Sequence, residues 1–325
     1  MYDYDVKKVI KNAFRITKAR GFTAVRIRVP GGHLKAEYLS VIRELAERFG
    51  NGTVHLTTRQ GYEIPGVRLQ DMEEAKKIIA EMIYDIEKES NVTLRESKEG
   101  YPAAGTRNVC ACIGNRVCQF ANSDTTRLAQ LIEGIVYPQH YHLKIAVSGC
   151  PNDCIKAHMH DIGIISQVVP EYDSERCIAC EACLDNCRQF ITNALSIENY
   201  SVKRDEKYCL GCGECILKCP QGAFSRGQAL YRILIGGRTG KKNPRLANTF
   251  IKDANEEVVL GICKNIYAFI DRYIDTKLPK EHVGYIIDRV GFEAFTREVT
   301  QGLKLNPEAK ALNLDNPGYF YPIKK

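Results

Sequence analysis

The chain of 325 residues lacks the features that would place it in a membrane, in a secretory pathway or on nucleic acid. No stretch approaches the roughly 20 consecutive apolar residues that span a bilayer. The first residues, MYDYDVKKVIKNAF, do not follow the charged and then apolar pattern of a signal peptide. The net charge of +7 is not gathered into a long basic tail, so it fits an anionic cofactor or substrate as well as nucleic acid. We therefore expect a cytoplasmic protein that neither inserts into a membrane nor binds nucleic acid.

Cysteine, by contrast, is abundant, with 14 residues. So many cysteines suggest either disulfides or metal sites. Disulfides are rare in the reducing cytoplasm, and most of these cysteines stand in short Cys-x-x-Cys runs, so metal ligation is the favoured interpretation. The apolar fraction of 44% predicts a packed core that suits one large or two ordinary domains.

Two runs, CIACEACLDNC and CLGCGECILKCP, each have the C-x2-C-x2-C-x3-C spacing of bacterial ferredoxins. In that arrangement three close cysteines bind one 4Fe-4S cluster, and the fourth binds the neighbouring cluster. The predicted ligands are Cys177, Cys180, Cys183 and Cys219 for one cluster and Cys187, Cys209, Cys212 and Cys215 for the other. Arg188 stands where the first run would have the usual proline. A pair of zinc sites is the alternative, because Cys-x-x-Cys also suits zinc.

The other cysteines fall into two groups. Cys263 lies in EEVVLGICKNIYAFIDRYI beside an apolar stripe at helical spacing, which indicates a small buried hydrophobe. Five residues separate Cys112 from Cys118 in NVCACIGNRVC, and three separate Cys150 from Cys154 in SGCPNDC. These four thiolates would suffice for a third 4Fe-4S cluster, with disulfides as the alternative.

C-x5-C followed at a distance by C-x3-C resembles the signature of the siroheme-containing sulfite and nitrite reductases. The resemblance extends to LTTRQGYEIPGV, TRNV, YHLKIAVSGCPNDC and LIGGRTGKKNPR and covers nearly the whole chain. It implies that Cys112, Cys118, Cys150 and Cys154 hold a 4Fe-4S cluster and that Cys154 also bridges to the siroheme iron. Siroheme and three 4Fe-4S clusters are thus the expected cofactors. Cys110 does not give the five-residue gap and is predicted to be a packing residue near the ligands.

The resemblance also implies residues for the substrate and for siroheme. Arg59 and Arg107 match the family's active-site arginines, and each can direct two N–H groups to an oxyanion while staying protonated. In YHLK, Lys144 matches the second of two lysines in the assimilatory pattern, whereas His142 replaces the first and is either a proton donor or a strand residue. Alone, the arginine in TTRQ would be interpreted as a surface or salt-bridged residue. The predicted contacts of the siroheme carboxylates are Arg116, Arg238, Lys241, Lys242 and Arg245, with a solvated basic loop as the alternative.

Hydrophobic periodicity predicts an α+β fold independently. AVRIRV and TVHLTTR are expected to be strands, and DMEEAKKIIAEMIYDIEKE is expected to be an amphipathic helix. Another helix is predicted from an apolar face formed by Leu39, Ile42, Leu45, Ala46 and Phe49. Further strands are expected in HLKIAVS, IGIIS and YRILIGG, and long helices over residues 256–274 and 281–303.

We therefore predict a siroheme sulfite reductase-like α+β domain interrupted by an inserted bacterial-type ferredoxin module with two 4Fe-4S clusters. Residues 1–90 would form a ferredoxin-like, substrate-side half, and residues 91–170 the region that binds siroheme and its 4Fe-4S cluster. Residues 171–226 would form the inserted module, and residues 227–325 the C-terminal part of the siroheme domain. The insert and a length near half that of the large assimilatory enzymes resemble the anaerobic branch of the family.

The expected activity is the six-electron reduction of sulfite to sulfide. Electrons would enter at the ferredoxin clusters, pass to the third 4Fe-4S cluster and cross the Cys154 sulfur to siroheme. No Gly-x-Gly-x-x-Gly fingerprint follows a predicted strand, so separate donor subunits are expected, an iron–sulfur carrier and a flavin subunit that uses NADH. Because large relatives contain two related halves, a homo-oligomer is also expected. The alternatives are a siroheme nitrite reductase, which forms ammonia, and a ferredoxin-like electron carrier without reductase activity.

Overall fold

The structure is a computed structural model, and it describes residues 14–89, 108–137, 139, 141–240, 243–278 and 281–311. Arg107, Lys241 and Lys242, three of the predicted site residues, lie outside these ranges. The chain divides into two compact units. One unit comprises Met1–Ala111, Thr126–Lys144 and Ile274–Glu281, and the other comprises Cys112–Thr125, Ile145–Tyr273 and His282–Lys325.

The first unit contains an antiparallel sheet with two amphipathic helices. Its elements are β1 (Phe14–Ile16), β2 (Phe22–Ile27), α1 (Tyr38–Arg48), β3 (His55–Leu56), β4 (Tyr62–Arg68), α2 (Met72–Glu89) and β5 (Cys110–Ala111). The strands β1 to β4 pair in the order β1-β2-β4-β3. Val25 and Ile27 of β2 face Ile64 of β4 in a core that also takes Ile42 from α1 and Ile79 from α2. The sheet and both helices thus bury their apolar faces against one another.

Two sequence expectations for this unit were wrong. Leu39 is 49% exposed, because α1 begins at Tyr38 and buries Tyr38, Ile42 and Leu45, which follow one another at intervals of four and three residues. The strand expected in TVHLTTR shortens to His55–Leu56. A tight turn follows, in which the N–H of Thr57 donates to the carbonyl of Gly61 at 2.8 Å. Arg59 therefore lies in a turn.

Helix α3 (Thr125–Val136) belongs to the first unit from Thr126 onward. The second unit is larger and begins with Cys112–Thr125, the segment that leads into this helix. Its elements continue with β6 (Ile145–Ser148), β7 (Ile162–Tyr172), α4 (Ala182–Phe190), β8 (Leu195–Glu198), β9 (Ser201–Arg204), α5 (Glu214–Lys218), β10 (Phe224–Ile235), β11 (Asn248–Ala254), α6 (Glu256–Tyr273), α7 (Val283–Val290), α8 (Phe292–Thr300) and β12 (Lys310–Ala311). Strands of this unit pair in the order β12-β11-β10-β7-β6, with β6 parallel to β7 and the other pairs antiparallel.

The cysteine-rich segment leaves and re-enters this sheet at one point. Tyr172, the last residue of β7, pairs with Phe224, the first residue of β10. The chain between them forms the β8–β9 hairpin and the short helices α4 and α5 around a small core of Leu184, Leu195 and Val202. Because the two ends of this cysteine-rich segment are paired with each other, the segment does not interrupt the sheet.

The C-terminal helices differ from the sequence expectation. The helix expected over 281–303 is two helices, α7 and α8, because Gly291 adopts a φ of +99° that an α-helix does not allow. Cys263 in α6 is fully buried, as its apolar surroundings predict. Within the described residues, no helix is long and apolar enough to cross a membrane.

Candidate metal centres and active site

The cysteines of the two ferredoxin-like runs line two separate cavities. One cavity is lined by Cys177, Cys180, Cys183 and Cys219, and we call it the Cys177 site. The second cavity, the Cys209 site, is lined by Cys187, Cys209, Cys212 and Cys215. Each site therefore takes three cysteines from one run and the last cysteine from the other run.

Backbone geometry in the two runs directs N–H groups at the sulfurs. At each site one N–H reaches the first cysteine of the run and another reaches the cysteine contributed by the other run. These bonds are Ala179 to Cys177 at 3.5 Å, Ala223 to Cys219 at 3.2 Å, Gly211 to Cys209 at 3.4 Å and Ala194 to Cys187 at 3.2 Å. N–H donors stabilise the thiolate form that binds iron.

Burial acts differently on the thiols of the two sites. It raises the pKa of Cys212 to about 12, and it also raises the pKa of Cys215, with further increases from neighbouring cysteines. In the Cys177 site burial raises the pKa of Cys183 to about 11. Burial also opposes ionisation of Cys219, but the backbone N–H groups of residues 221–224 outweigh it and hold its pKa below the usual value. Four thiolates placed this close together would need a cationic centre to compensate their charge.

A third set of cysteines, the Cys112 site, comprises Cys112, Cys118, Cys150 and Cys154. The N–H of Gly149 donates to the Cys112 sulfur at 3.1 Å. Burial raises the pKa of Cys150 to about 11, and the other three cysteines of the set raise it as well, because their negative charge opposes its ionisation. The two distant cysteine pairs of the sequence are thus brought together.

The turn after Cys150 determines how this last pair is presented. The N–H of Asp153 donates to the carbonyl of Cys150 at 3.1 Å, so Pro151 and Asn152 form the turn that their residue types predict. Cys150 is buried, whereas Cys154 is exposed. The Cys154 sulfur can therefore contact a further group.

Asp153 fixes the segment that follows Cys154. Its carboxylate accepts hydrogen bonds from the N–H of Ala157 at 2.6 Å and from the His158 ring at 2.7 Å. Nothing in the local spacing distinguished this aspartate from a solvated turn residue. Only its burial, at 8% exposure, identifies it as structural.

The four-cysteine sets differ from sites for a single metal ion. Within the described ranges, no group of three or more histidine, cysteine, aspartate or glutamate side chains could hold one ion. A structural zinc site requires four ligands within about 2.3 Å of one metal. In a 4Fe-4S cluster each thiolate binds a different iron, so its four sulfurs lie farther apart.

Arg59 is held by its neighbours in the first unit. Its carbonyl accepts a hydrogen bond from the side chain of Asn108 at 3.0 Å. The adjacent Gln60 bonds both backbone groups of Ala111, at 2.7 and 2.9 Å, as a paired strand would. Burial lowers the pKa of Arg59, but an arginine still keeps its proton at neutral pH. These bonds fix the backbone of the turn from which the positively charged Arg59 side chain extends.

Cys110 belongs to the same unit and differs from the three cysteine sets. It is fully buried, and burial raises its pKa to about 11, while the charge of Arg59 acts in the opposite direction. His142 and Lys144 also belong to this unit, just before β6, and both are half-buried. Their predicted roles stay predictions.

The glycine-rich loop uses its arginines within the second unit. Arg238 is 5% exposed, lies over the Tyr285 ring at 3.7 Å and donates to Asp288 at 3.2 Å. Arg245 donates to the other carboxylate oxygen of Asp288 at 2.8 Å. Asp288 therefore compensates part of the charge that was predicted to contact siroheme. Arg116 is exposed and is the last residue of the short 3-10 turn Gly114–Arg116.

Comparisons with known proteins identify the family of this chain. The family model described as the nitrite and sulphite reductase 4Fe-4S domain matches residues 103–306, and that of the nitrite/sulfite reductase ferredoxin-like half domain matches residues 15–82. The C subunit of the anaerobic sulfite reductase of Salmonella typhimurium is 41% identical over 310 residues, which are 94% of this chain and 92% of that protein. The coenzyme F420-dependent sulfite reductase of Methanocaldococcus jannaschii is 29% identical over 88% of this chain and 44% of its own length.

A solved structure shows the same fold. Dissimilatory sulfite reductase I superimposes with a TM-score of 0.63 and 21% identity, over 92% of this chain and 73% of that chain. The chain thus has a mixed α/β sulfite reductase-like fold with a ferredoxin-like half domain and a 4Fe-4S domain, which confirms the coarse fold prediction. It is homologous to sulfite reductases, which are oxidoreductases, and it belongs to the nitrite and sulfite reductase family.

Proposed function

We propose that this chain is the catalytic subunit of an anaerobic sulfite reductase that holds siroheme and three 4Fe-4S clusters. The observation that carries the proposal is the grouping of twelve cysteines into three sets of four. Two sets line cavities with the crossed pairing of bacterial ferredoxins, and the third has the C-x5-C and C-x3-C spacing of siroheme reductases. When bound, these cofactors would supply an iron that binds sulfite and carriers for the six electrons that its reduction needs.

The protein's own residues would hold these groups and keep the thiolates ionised. Backbone N–H groups donate to sulfurs in all three sets, which offsets the cost of burying negative charge. The exposed Cys154 is the sulfur that would be shared with the siroheme iron. Arg238 and Arg245 could still contact siroheme carboxylates while also bound to Asp288, and we keep Arg116, Lys241 and Lys242 in this proposed set.

The substrate residues are proposed from their residue types and from the family pattern. Arg59 and Arg107 would donate to the sulfite oxygens, and Lys144 would add a third cation. His142 would supply a proton to an oxygen that leaves as water. Arg59 supports this view because its turn is fixed at both ends by side-chain hydrogen bonds. A donor on a fixed backbone has less freedom to lose when it is oriented toward the substrate.

We propose that the chain is organised as residues 1–90, 91–170, 171–226 and 227–325, and that residues 171–226 form the ferredoxin module. The junction between Tyr172 and Phe224 supports the two boundaries of the insert. An iron–sulfur subunit and a flavin subunit that uses NADH are the proposed donors, since the Salmonella relative is named as one subunit of its enzyme. A homo-oligomer would complete the assembly.

A nitrite reductase is the second candidate, because the matching family model covers both substrates. The 41% identity to an anaerobic sulfite reductase subunit over 94% of the chain favours sulfite.

Anaerobically purified protein tests the cofactor assignment. Siroheme absorption bands and an iron content that matches three 4Fe-4S clusters plus one siroheme would support it. If the clusters are reconstituted in full and the siroheme bands are still absent, the reductase is excluded and a simple electron carrier is left.

Sulfite and nitrite turnover with a reduced dye then tests the substrate residues. Replacing Arg59 by alanine is expected to lower kcat/KM for sulfite by about a hundredfold or more, because a half-buried donor to developing charge is lost. Arg68→Ala is the matched control, since this exposed arginine ends β4 of the same unit. A sulfite rate that is equal in the two variants, or a nitrite rate that exceeds the sulfite rate, would contradict the proposal.

A further inference from the structure

Asn122 connects three cluster-binding loops of the second unit. It follows Cys118 by four residues and is 8% exposed. Its backbone N–H donates to the carbonyl of Gly149, next to Cys150, at 2.7 Å. Its side-chain amide donates to the carbonyls of Gly211 at 3.3 Å and Cys212 at 3.4 Å. One residue thus bonds the loops of the Cys112 site and the second run of the ferredoxin-like pair.

Arg226 completes this connection from strand β10. One guanidinium nitrogen donates to the side-chain oxygen of Asn122, and the other donates to the carbonyl of Gln119 at 2.9 Å. The amide of Asn122 is therefore oriented by a charged donor on one side and by two carbonyl acceptors on the other. A charge-assisted bond of this kind is stronger than a bond between neutral groups.

The loops also meet without spare room. A Cβ atom at Gly213 would lie 2.9 Å from the Asn122 side-chain oxygen and 3.2 Å from the Arg226 guanidinium. Gly213 adopts a φ of +77° directly after Cys212, at the beginning of α5. The segment Cys212–Gly213 is therefore packed directly against the loop that follows Cys118.

We propose that Asn122 and Arg226 are positioning residues that fix the Cys209 site against the Cys112 site. The Cys209 site, and not the Cys177 site, would then be the neighbour of the siroheme-linked cluster. This inference rests on the proposed function, because it assumes that both sites bind 4Fe-4S clusters. The rate of electron transfer between two clusters falls steeply with the distance between them. A loop contact that fixes this distance therefore controls how fast the siroheme-linked cluster is reduced.

The variants Asn122→Ala and Arg226→Lys test this proposal in the intact, cluster-loaded protein. Asn122→Ala removes both side-chain bonds to the carbonyls. Arg226→Lys keeps the charge but replaces the fork of two guanidinium nitrogens, each of which bonds one acceptor, by a single nitrogen. Asn265→Ala is the matched control. The Asn265 side-chain amide also donates to two carbonyls, those of Val299 and Gln301 at 2.9 and 3.1 Å, among the C-terminal helices.

Two measurements are needed, the magnetic coupling between reduced clusters by EPR and the rate at which siroheme is reduced after rapid reduction of the ferredoxin clusters. In Asn122→Ala we expect unchanged iron content, weaker coupling of the Cys209 cluster to the Cys112 cluster and a rate lower by on the order of tenfold. This decrease in rate is smaller than the roughly hundredfold decrease that a misplacement of about 1 Å causes in a chemical step. Arg226→Lys should show a smaller loss of the same kind.

Normal coupling and a normal rate in both variants would overturn the proposal, as would an equal loss in Asn265→Ala. If Asn122→Ala loses iron, its coupling cannot be interpreted, and Arg226→Lys becomes the test. An unchanged coupling in Arg226→Lys would then overturn the inference. A wild-type protein without ferredoxin clusters would instead be recognised from its iron content before any variant is compared. That result refutes the proposed function and the inference together.

Discussion

The Cys177 and Cys209 sites share one sequence motif, yet their loops are supported in different ways. Both runs place a residue with positive φ two and four positions after their first cysteine. In the first run these residues are Ala179 and Glu181, with φ of +53° and +64°, and in the second they are Gly211 and Gly213, with φ of +66° and +77°. The backbone is therefore the same, while only the second run uses glycine.

Packing explains this difference. A Cβ atom at Gly211 would lie 3.0 Å from the Cβ of Gln167 and 3.0 Å from the carbonyl of Val168, both in β7. The side chain of Gln167 also donates to the carbonyl of Leu210 at 2.7 Å. The second run thus lies directly on the sheet, where a side chain at these positions does not fit. Ala179 and Glu181 carry side chains at the equivalent places of the first run.

The two sites also differ in solvent exposure, and the Cys177 site is the more exposed. In the Cys177 site, Cys180 is exposed and Ile178 is 62% exposed. In the Cys209 site, burial raises the pKa of Cys212 to about 12. Arg232, at 1% exposure, adds a buried positive charge that interacts with Asp253 and, more weakly, with Cys209. If both sites bind clusters as proposed, the more exposed Cys177 site would be the one that receives electrons from a partner, and the Cys209 site would carry them further into the protein.

Loss of one ligand at each site should have the largest effect and separate these roles. Cys212→Ser and Cys180→Ser should each lose the iron of one cluster, because serine is a poor replacement for a thiolate. With a small reduced dye, we expect sulfite turnover to fall much further in Cys212→Ser than in Cys180→Ser, since the dye can bypass an exposed entry site. Iron analysis and dye-linked turnover provide the two readouts.

Cys263→Ala is the control for these variants, because Cys263 is fully buried in α6 and lies outside the three sets. It should keep its iron and lose about 1 kcal/mol of stability through the small cavity that is left. Equal turnover in Cys212→Ser and Cys180→Ser would show that the two sites do not differ in accessibility to the dye.

Arg232→Met should have a smaller effect, confined to the Cys209 cluster. A buried cation favours the reduced cluster, which carries one more negative charge, so its removal should lower the reduction potential. We expect a decrease on the order of 60 mV, which for one electron is a tenfold change in the equilibrium constant. EPR-monitored redox titration can follow each cluster separately.

Arg176→Met is the matched change at the Cys177 site. Arg176 is exposed and donates to the carbonyl of Gly222, close to Cys219. Water and salt screen an exposed charge, so the potential of the Cys177 cluster should hardly move. A shift of both clusters in Arg232→Met, or an equal shift in Arg176→Met, would contradict the local origin of the effect.

The sequence predicted the features that depend on local spacing. Motif spacing alone grouped the cysteines in the sets that line the two cavities, because ligand positions within a short run follow from the run's own backbone. Periodicity located α2 and α6 to within a residue. It could not show that α1 begins at Tyr38 and leaves Leu39 exposed, because both residues are apolar and adjacent.

Features that depend on distant contacts could not be predicted from the sequence. Asn122 bonds a carbonyl 89 positions away, and Asp288 pairs with arginines that precede it by more than 40 positions. Neither residue stands in a recognisable motif.

Pro65 lies in β4, although proline is unfavourable inside a strand. The pairing with β2 accommodates it by a shift of register opposite Thr23 and Ala24. Such adjustments are determined by packing and not by residue type.

The smallest expected effect concerns the two loop conformations themselves. Ala179→Gly should stabilise the first run by less than about 1 kcal/mol, because glycine adopts positive φ without a steric penalty but is more flexible when unfolded. Gly211→Ala should destabilise the second run by more than Ala179→Gly stabilises the first, since it adds close contacts with β7 to the strained φ. Thermal unfolding and the rate of cluster loss under a chelator measure both changes. If Gly211→Ala were as stable as the wild type, the second run would not be packed against the sheet, and the difference between the two sites would lie in exposure alone.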